Sequence, residues 1–305
     1  DTHILITQNP LQLLSFIVAT IEVFGANTEN KLKIYTVFED LISREEQTRE
    51  YAIRHTMFHE IVHASQDWHY DLHQWHDYLD ALQDMDLRMT VMAMIEGDAE
   101  YSSALHLCRK LGLEHVLDQG AMEHFLETED RKVMRKQILP PVLSADDPIA
   151  VFYNGFSSFP YEAGFMFHGF MRGVQGYSLE ELYDNMPVTT RQILHPDRDA
   201  AGDFLIHVAD FGAIHSDDFE GFTLGKIFEP ENIAIESSLG EFGINALFQS
   251  FGLYKHEQDV AEGWAGDRLR VYMTGDYDIA ALWHSAWETR EQAERFFGAY
   301  LEVLD

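Results

Sequence analysis

Apolar and polar positions between residues 43 and 112 follow the period of a helix in two long runs. The first, SREEQTREYAIRHTMFHEIVHASQDWH, contains neither glycine nor proline, and Ser43 followed by Glu46 spells an S-x-x-E capping box, so a helix is predicted to begin there. Met57, Ile61, Ala64 and Trp68 recur at i, i+4, i+7 and i+11, which predicts a stripe packed into the core. The second run, ALQDMDLRMTVMAMIEGDAEYSSALHLCRKLG, predicts a helix that passes through Gly97 and stops at Gly112, with Arg109 and Lys110 in its last turn. Upstream, LQLLSFIVATIEVFGA (Leu11 to Ala26) reads as an amphipathic core helix. KLKIYTVF (Lys31 to Phe38), β-branched and aromatic after the GANTEN turn, reads as a strand.

Further along, ILPPVLSADDP (Ile138 to Pro148) is the clearest internal boundary. It divides a single domain of residues 1–305 into a subdomain 1–140, holding the strand and both helices, and a mainly helical subdomain 141–305 that closes the cleft. Pro160 suits the start of a helix, and the turns around Gly221 to Asn232 precede a last helical region near Trp283 to Leu304. The expected fold class is α+β, mostly helical, with a small sheet lobe and a larger helical lobe. KIYTVF is expected at the sheet edge beside the cleft, where an extended peptide pairs as an added strand.

Composition narrows the function. A chain of 305 residues with 46% apolar content can bury a large core, and its one cysteine, Cys108, excludes a disulfide framework or a cysteine-rich zinc knuckle. Cys108 reads as a small buried apolar residue. Lys+Arg 21 against Asp+Glu 52 gives a net charge of −31, which repels phosphate backbones and anionic lipid, so nucleic acid is not expected as a partner. Seven of the 21 basic residues are lysine; a saline habitat and ordinary acidic solubility both fit. No 18-residue apolar stretch occurs, so no membrane span is expected. The sequence as read starts at Asp1 without a charged-then-apolar leader, which leaves localisation open, and oligomeric state is equally unread.

The chemistry concentrates in His59-Glu60-Ile61-Val62-His63, an HExxH motif. On a helix its histidines stand about 40° apart and one turn along, so both imidazoles can grip one ion. Glu60 is placed to touch a water on that ion and reads as a general base. Hydrolytic zinc takes three protein ligands and one open position. Glu96 is the best third ligand, because IEGDAE interrupts an apolar helix interior where a lone carboxylate is costly to bury. Glu100, one turn on, would orient His59, and Asp67 would be a second orienting carboxylate. The bland alternatives are an HExxH arising by chance among sixteen histidines and two carboxylates on a solvated helix face. His55, His69, His73 and His76 extend the row but are not expected on the metal, which needs an open site.

HEIVHASQD (His59 to Asp67) followed by EGDAE (Glu96 to Glu100) resembles the thermolysin-type gluzincin pattern, in which two histidines and a later glutamate bind zinc and the acid four residues on holds a histidine. Glu100 stands where that pattern has aspartate. Outside the site, FPYEAG (Phe159 to Gly164), TTRQILHP (Thr189 to Pro196), GWAGDR (Gly263 to Arg268) and WETREQAERFF (Trp287 to Phe297) resemble a family of prokaryotic, partly haloarchaeal, HExxH proteins of the secreted or surface kind. That resemblance spans roughly residue 50 to the end. It implies a zincin-like fold, metallopeptidase chemistry, a Zn²⁺ cofactor, a peptide or protein substrate and an extracellular or cell-surface setting.

Hydrolysis at zinc builds an oxyanion, so a donor should face the metal. Tyr161 is the first choice, with His195, His168 and Arg268 behind it. Rival readings are a di-iron carboxylate bundle, which needs a second ExxH that the sequence lacks, and a non-catalytic surface or binding protein stabilised by metal. There is no GxSxG elbow, phosphate-binding GxxxxGK[ST] loop, GxGxxG or EF-hand loop; GFTLGKI (Gly221 to Ile227) has the wrong spacing.

Overall fold

Helix α1 (Glu46–Tyr70) follows the first uninterrupted run and ends where Asp71 takes a left-handed φ of 52°, its N–H donating to Asp67 O at 3.0 Å. Asp71 also caps α2 (Leu72–Leu82), its Oδ1 accepting from the Gln74 backbone N–H at 3.4 Å and its Oδ2 from Gln74 Nε2 at 2.6 Å. These elements come from a computed structural model that describes residues 46–82, 84–112, 147–199, 202–203, 205–206, 208, 230–252, 260–273 and 279–304. The expected helix Leu11 to Ala26, the strand Lys31 to Phe38, the Ser43 cap, residues 138–146 of the Pro-rich break and GFTLGKI lie outside the described residues.

The second predicted helix is α3 (Met85–Leu111), and it starts four residues after the expected Ala81. Asp84 is the reason: its Oδ1 accepts from Leu87 N–H at 2.9 Å, an N-cap inside what the pattern reads as continuous helix. At the far end Gly112 adopts φ 68°, as expected, after Arg109 and Lys110. Helix α4 (Pro148–His168) starts at Pro148, with Asp147 as N-cap accepting from Ile149 N–H. Pro160 therefore sits in the helix interior and starts nothing; the first-turn preference of proline is met at Pro148. A π-helical turn (Gly169–Val174) follows directly, then α5 (Leu179–Asp184), α6 (Thr190–Leu194) and α7 (Pro196–Asp199).

The strands come late: β1 (Ile233–Ser237), then α8 (Gly240–Ser250), β2 (Trp264–Met273), β3 (Ile279–Trp287) and α9 (Arg290–Leu304). They form one antiparallel sheet in the order β1-β2-β3. The fold is thus α+β and mostly helical with a small three-stranded sheet. The last helix begins at Arg290, and Trp283 lies on β3. Among the described residues no helix is long and apolar enough to cross a membrane.

The chain divides into two compact units: residues up to His76 with Met92–Met186, and Asp77–Val91 with Pro187 onward. In the first, Ala93, Met94, Ile95, Ala99, Phe159, Ala163 and Phe167 form the buried apolar surfaces of α3 and α4. The helices cross at Gly97 and Gly164, where a Cβ on either residue would run into the other helix's backbone. Helix α1 turns a different side inward than its apolar stripe predicts. Met57, Ile61 and Trp68 are 41%, 44% and 75% exposed, while His59, Glu60 and Gln66 are buried. The polar side goes in because its groups find partners there, and buried polar groups with partners carry little penalty.

In the second unit Ile244, Phe248, Val260, Ala261, Trp264 and Phe296 make the core, with Trp283, Trp287 and Tyr300 against it. Asp267, from GWAGDR, accepts from Ser238 Oγ, Leu239 N, Gly240 N, Trp264 Nε1 and Trp283 Nε1 at 2.7 to 3.1 Å, tying α8 and β3 to β2. TTRQILHP supplies a second clamp. Thr189 and Gln192 make a capping box, Thr190 Oγ1 donates to the buried Asp86 at 2.6 Å, and the fully buried Arg191 reaches Asp199, Glu288 and the carbonyl of Trp264. Asp267→Ala strands several buried donors at once and is expected to cost about 3 kcal/mol or more of unfolding free energy in urea, followed by tryptophan fluorescence. The exposed Glu294→Ala should shift it by less than about 0.5 kcal/mol. Equal shifts would contradict the role given to Asp267.

Candidate metal centre

His59 and His63 lie one turn apart on α1, and Glu96 reaches them from α3. Their Nε2 atoms are 2.9 Å apart, and Glu96 Oε2 stands 3.2 Å from the first and 3.1 Å from the second. Among the described residues this is the group of histidine, cysteine, aspartate and glutamate side chains whose ligand atoms converge. Ligands 2.0–2.1 Å from a tetrahedral ion stand about 3.3 Å from one another, so the triangle matches one face of such a shell.

The protons on the rings decide what that triangle is. Gln66 Nε2 donates to Ile95 O at 2.9 Å and to Asp98 Oδ2 at 2.8 Å, which turns its Oε1 toward His63 Nδ1 at 2.8 Å. An amide oxygen only accepts, so His63 carries its proton on Nδ1 and its neutral ring has a bare Nε2. Glu100 Oε1 lies 3.0 Å from His59 Nδ1, at ion-pair distance without the alignment of a full hydrogen bond, and favours the same tautomer there. Two imidazole lone pairs and a carboxylate oxygen then face one point, an arrangement that repels itself unless a cation or a proton occupies it.

The electrostatics of the site favour a proton at that point. Burial alone would lower the His59 pKa, but the carboxylates of Glu100 and Glu96 override it and push it up to about 10. Burial would raise Glu96, and contacts with His59 and His63 instead hold it at about 2. For His63, burial and the neighbouring His59 charge act downward, Glu96 acts upward, and the net shift is upward. His55 Nε2 is 3.4 Å from the other oxygen of Glu100, and burial outweighs that charge and lowers its pKa.

Tyr161 is at this site. Its ring lies 6.2 Å from that of His59 at 20°, and the Glu96 carboxylate is close enough to act on its hydroxyl. The helix crossing brings it there, since Glu96 precedes Gly97 and Tyr161 sits one turn before Gly164. Burial first, then the charges of Glu96, Glu100 and Glu60, raise its pKa well above the ordinary phenol value, so it stays a donor. Glu60 is itself buried, next to His59 on α1. The other donor candidates are engaged elsewhere. His195 belongs to the second unit, with Nε2 2.6 Å from Glu241 Oε1; Arg268 pairs with Glu236 on the sheet; His168 is fully buried and donates to Met94 O at 2.9 Å. The second orienting group is Gln66, where the sequence points to Asp67. Asp98, 0% exposed, falls under the same burial argument that finds Glu96; Gln66 is one of the residues of HEIVHASQD, and its bond to Asp98 is not legible in the sequence.

A family model described as Domain of unknown function (DUF8575) matches residues 231–305. That stretch includes GWAGDR and WETREQAERFF but none of the converging side chains. No curated protein and no solved structure matches the chain.

A histidine whose pKa is raised on folding stabilises the fold fully below its unfolded value near 6.5 and loses that contribution as pH rises through about 10. In the presence of a chelator, the urea midpoint should therefore fall between pH 7 and 10 more steeply for the parent than for His59→Asn. Parallel profiles would contradict the His59 assignment.

Proposed function

We propose that this chain is a metal-dependent hydrolase, a zincin-like metallopeptidase acting on peptide or protein substrates, with Zn²⁺ held by His59, His63 and Glu96. The observation that carries the reading is the convergence of two imidazole Nε2 atoms and one carboxylate oxygen within 3.2 Å. Three such ligands are the donor set of hydrolytic zinc sites, which keep the fourth place for water. The extracellular or surface setting implied by the sequence resemblance goes with this reading.

Bound there, zinc supplies a Lewis acid and a water of lowered pKa. The side chains supply the rest. Glu60, one residue from His59 and buried, takes a proton from the attacking water and delivers it to the leaving amine. Tyr161, kept protonated by burial and by surrounding carboxylates, donates to the oxygen that gathers charge. Glu100 holds the back of His59 so that Nε2 keeps facing the ion.

Elemental analysis of the purified chain should return about one equivalent of zinc, and much less for His59→Ala. Glu60→Gln should retain the metal and lose about 10²–10⁴-fold in turnover of a peptide library, and Tyr161→Phe about 10²–10³-fold. Full turnover in Glu60→Gln, or none in the zinc-loaded parent, would leave the metal with a structural role in a binding protein.

A further inference from the structure

Behind His63 the contacts continue past Gln66, and the proposed function makes no use of them. Asp98, one turn before Ser102 on α3, is fully buried. Its Oδ2 accepts from Gln66 Nε2, and its Oδ1 accepts from Ser102 Oγ at 2.9 Å and from Arg172 Nη1 at 2.6 Å. Arg172 also reaches Ser102 Oγ at 3.2 Å and lies over the ring of Tyr101, 5.0 Å from its centre. The arginine is delivered by the π-helical turn Gly169–Val174, where Gln175 N–H bonds Phe170 O at 2.9 Å in place of the usual α-helical partner. Single π turns inside helices cost regular hydrogen bonding and occur often at functional sites.

We infer that Arg172, Asp98 and Gln66 form a positioning relay whose product is the tautomer of His63, and that they thereby set the metal affinity of the site. The inference rests on the metal reading above. The reasoning runs through the amide. Gln66 can present either its oxygen or its nitrogen to His63, and the two choices have opposite consequences. Oxygen toward the ring holds the proton on Nδ1 and leaves Nε2 free to bind a cation; nitrogen toward the ring demands a bare Nδ1 and moves the proton to Nε2, which blocks the ion. Two acceptors, Ile95 O and Asp98 Oδ2, fix the amide nitrogen away from the ring. A buried carboxylate can serve as that acceptor only while its charge is compensated, and Arg172 supplies the compensation. A cation held by a π turn thus governs which nitrogen of His63 is bare, three side chains away.

The two ligand histidines are backed differently. His59 faces a carboxylate, Glu100, and His63 faces a neutral amide. Gln66→Met keeps the length of the side chain and removes both the acceptor for His63 and the donor to Asp98. Arg172→Met keeps the stem and removes the charge, and Arg172→Lys restores a cation. Losing a partner behind a ligating histidine typically weakens metal binding by about 10–100-fold.

The test is competition of zinc between a fluorescent chelator and the full chain, for the parent and these three variants. Melting of each metal-free protein and the visible spectrum of its Co²⁺ form accompany the titration. The relay predicts weaker zinc binding by about 10–100-fold for Gln66→Met and at least about tenfold for Arg172→Met, with recovery in Arg172→Lys and an altered cobalt spectrum in the two weakened variants. A parent that binds zinc, beside variants that bind it equally well with the parent's spectrum, overturns the relay and leaves the metal reading standing. Lower melting temperatures with unchanged affinity also overturn it, by giving Arg172 and Gln66 a structural role alone. A parent that binds no better than His59→Ala overturns the metal reading and the relay with it. Should Gln66→Met fail to fold, the partly exposed Arg172 still decides the matter through its two variants.

Discussion

Two imidazole nitrogens and one carboxylate oxygen are held within 3.2 Å of one another, so close that unprotonated rings there would repel the carboxylate. Mutual repulsion of that kind persists in a fold only when a positive charge resolves it. The arrangement around the first unit's site follows from this. Helix α1 turns its polar side inward and leaves Met57, Ile61 and Trp68 exposed, because the buried groups are those that share the charge or hold the sharers in place. Glu100 and Gln66 occupy the Nδ1 sides of the two rings, and α3 and α4 approach to backbone contact at Gly97 and Gly164, which carries Tyr161 to Glu96.

The second unit shows how much of a motif-rich sequence can be spent on scaffolding. TTRQILHP and GWAGDR attract attention as candidate chemistry, and His195 and Arg268 within them are the side chains one would nominate. In the fold those motifs act as clamps. Thr189 and Gln192 cap a five-residue helix, Thr190 binds the buried Asp86, Arg191 gathers two carboxylates and a carbonyl, and Asp267 collects donors from α8, β2 and β3. Dense hydrogen bonding of this kind ties helices to the three-stranded sheet of the described residues.

What the sequence made legible follows physical rules that act locally. The spacing of His59 and His63 fixes their common face through helix geometry alone, and Glu96 betrays itself as a charge in an apolar run. Glu100 follows from the same helix one turn on. The same rules miss what depends on distant partners. An amide such as Gln66 has no burial cost large enough to mark it, and its importance arises only once Asp98 is beside it. Periodicity points the wrong side of α1 inward because it counts apolar residues and cannot count the partners waiting for polar ones. Strands β2 and β3 are hard to read because WAGDRLRVYM carries glycine and aspartate in its first four residues and IAALWHSAW is rich in alanine, so neither alternates cleanly.

X-ray absorption at the zinc edge, on protein loaded with one equivalent, reads the coordination shell directly. The account predicts four light-atom ligands at about 2.0–2.1 Å with the outer-shell scattering of two imidazole rings, reduced by one ring in His63→Ala. A shell of five or six oxygens without ring scattering, or one unchanged when His63 is removed, would contradict it.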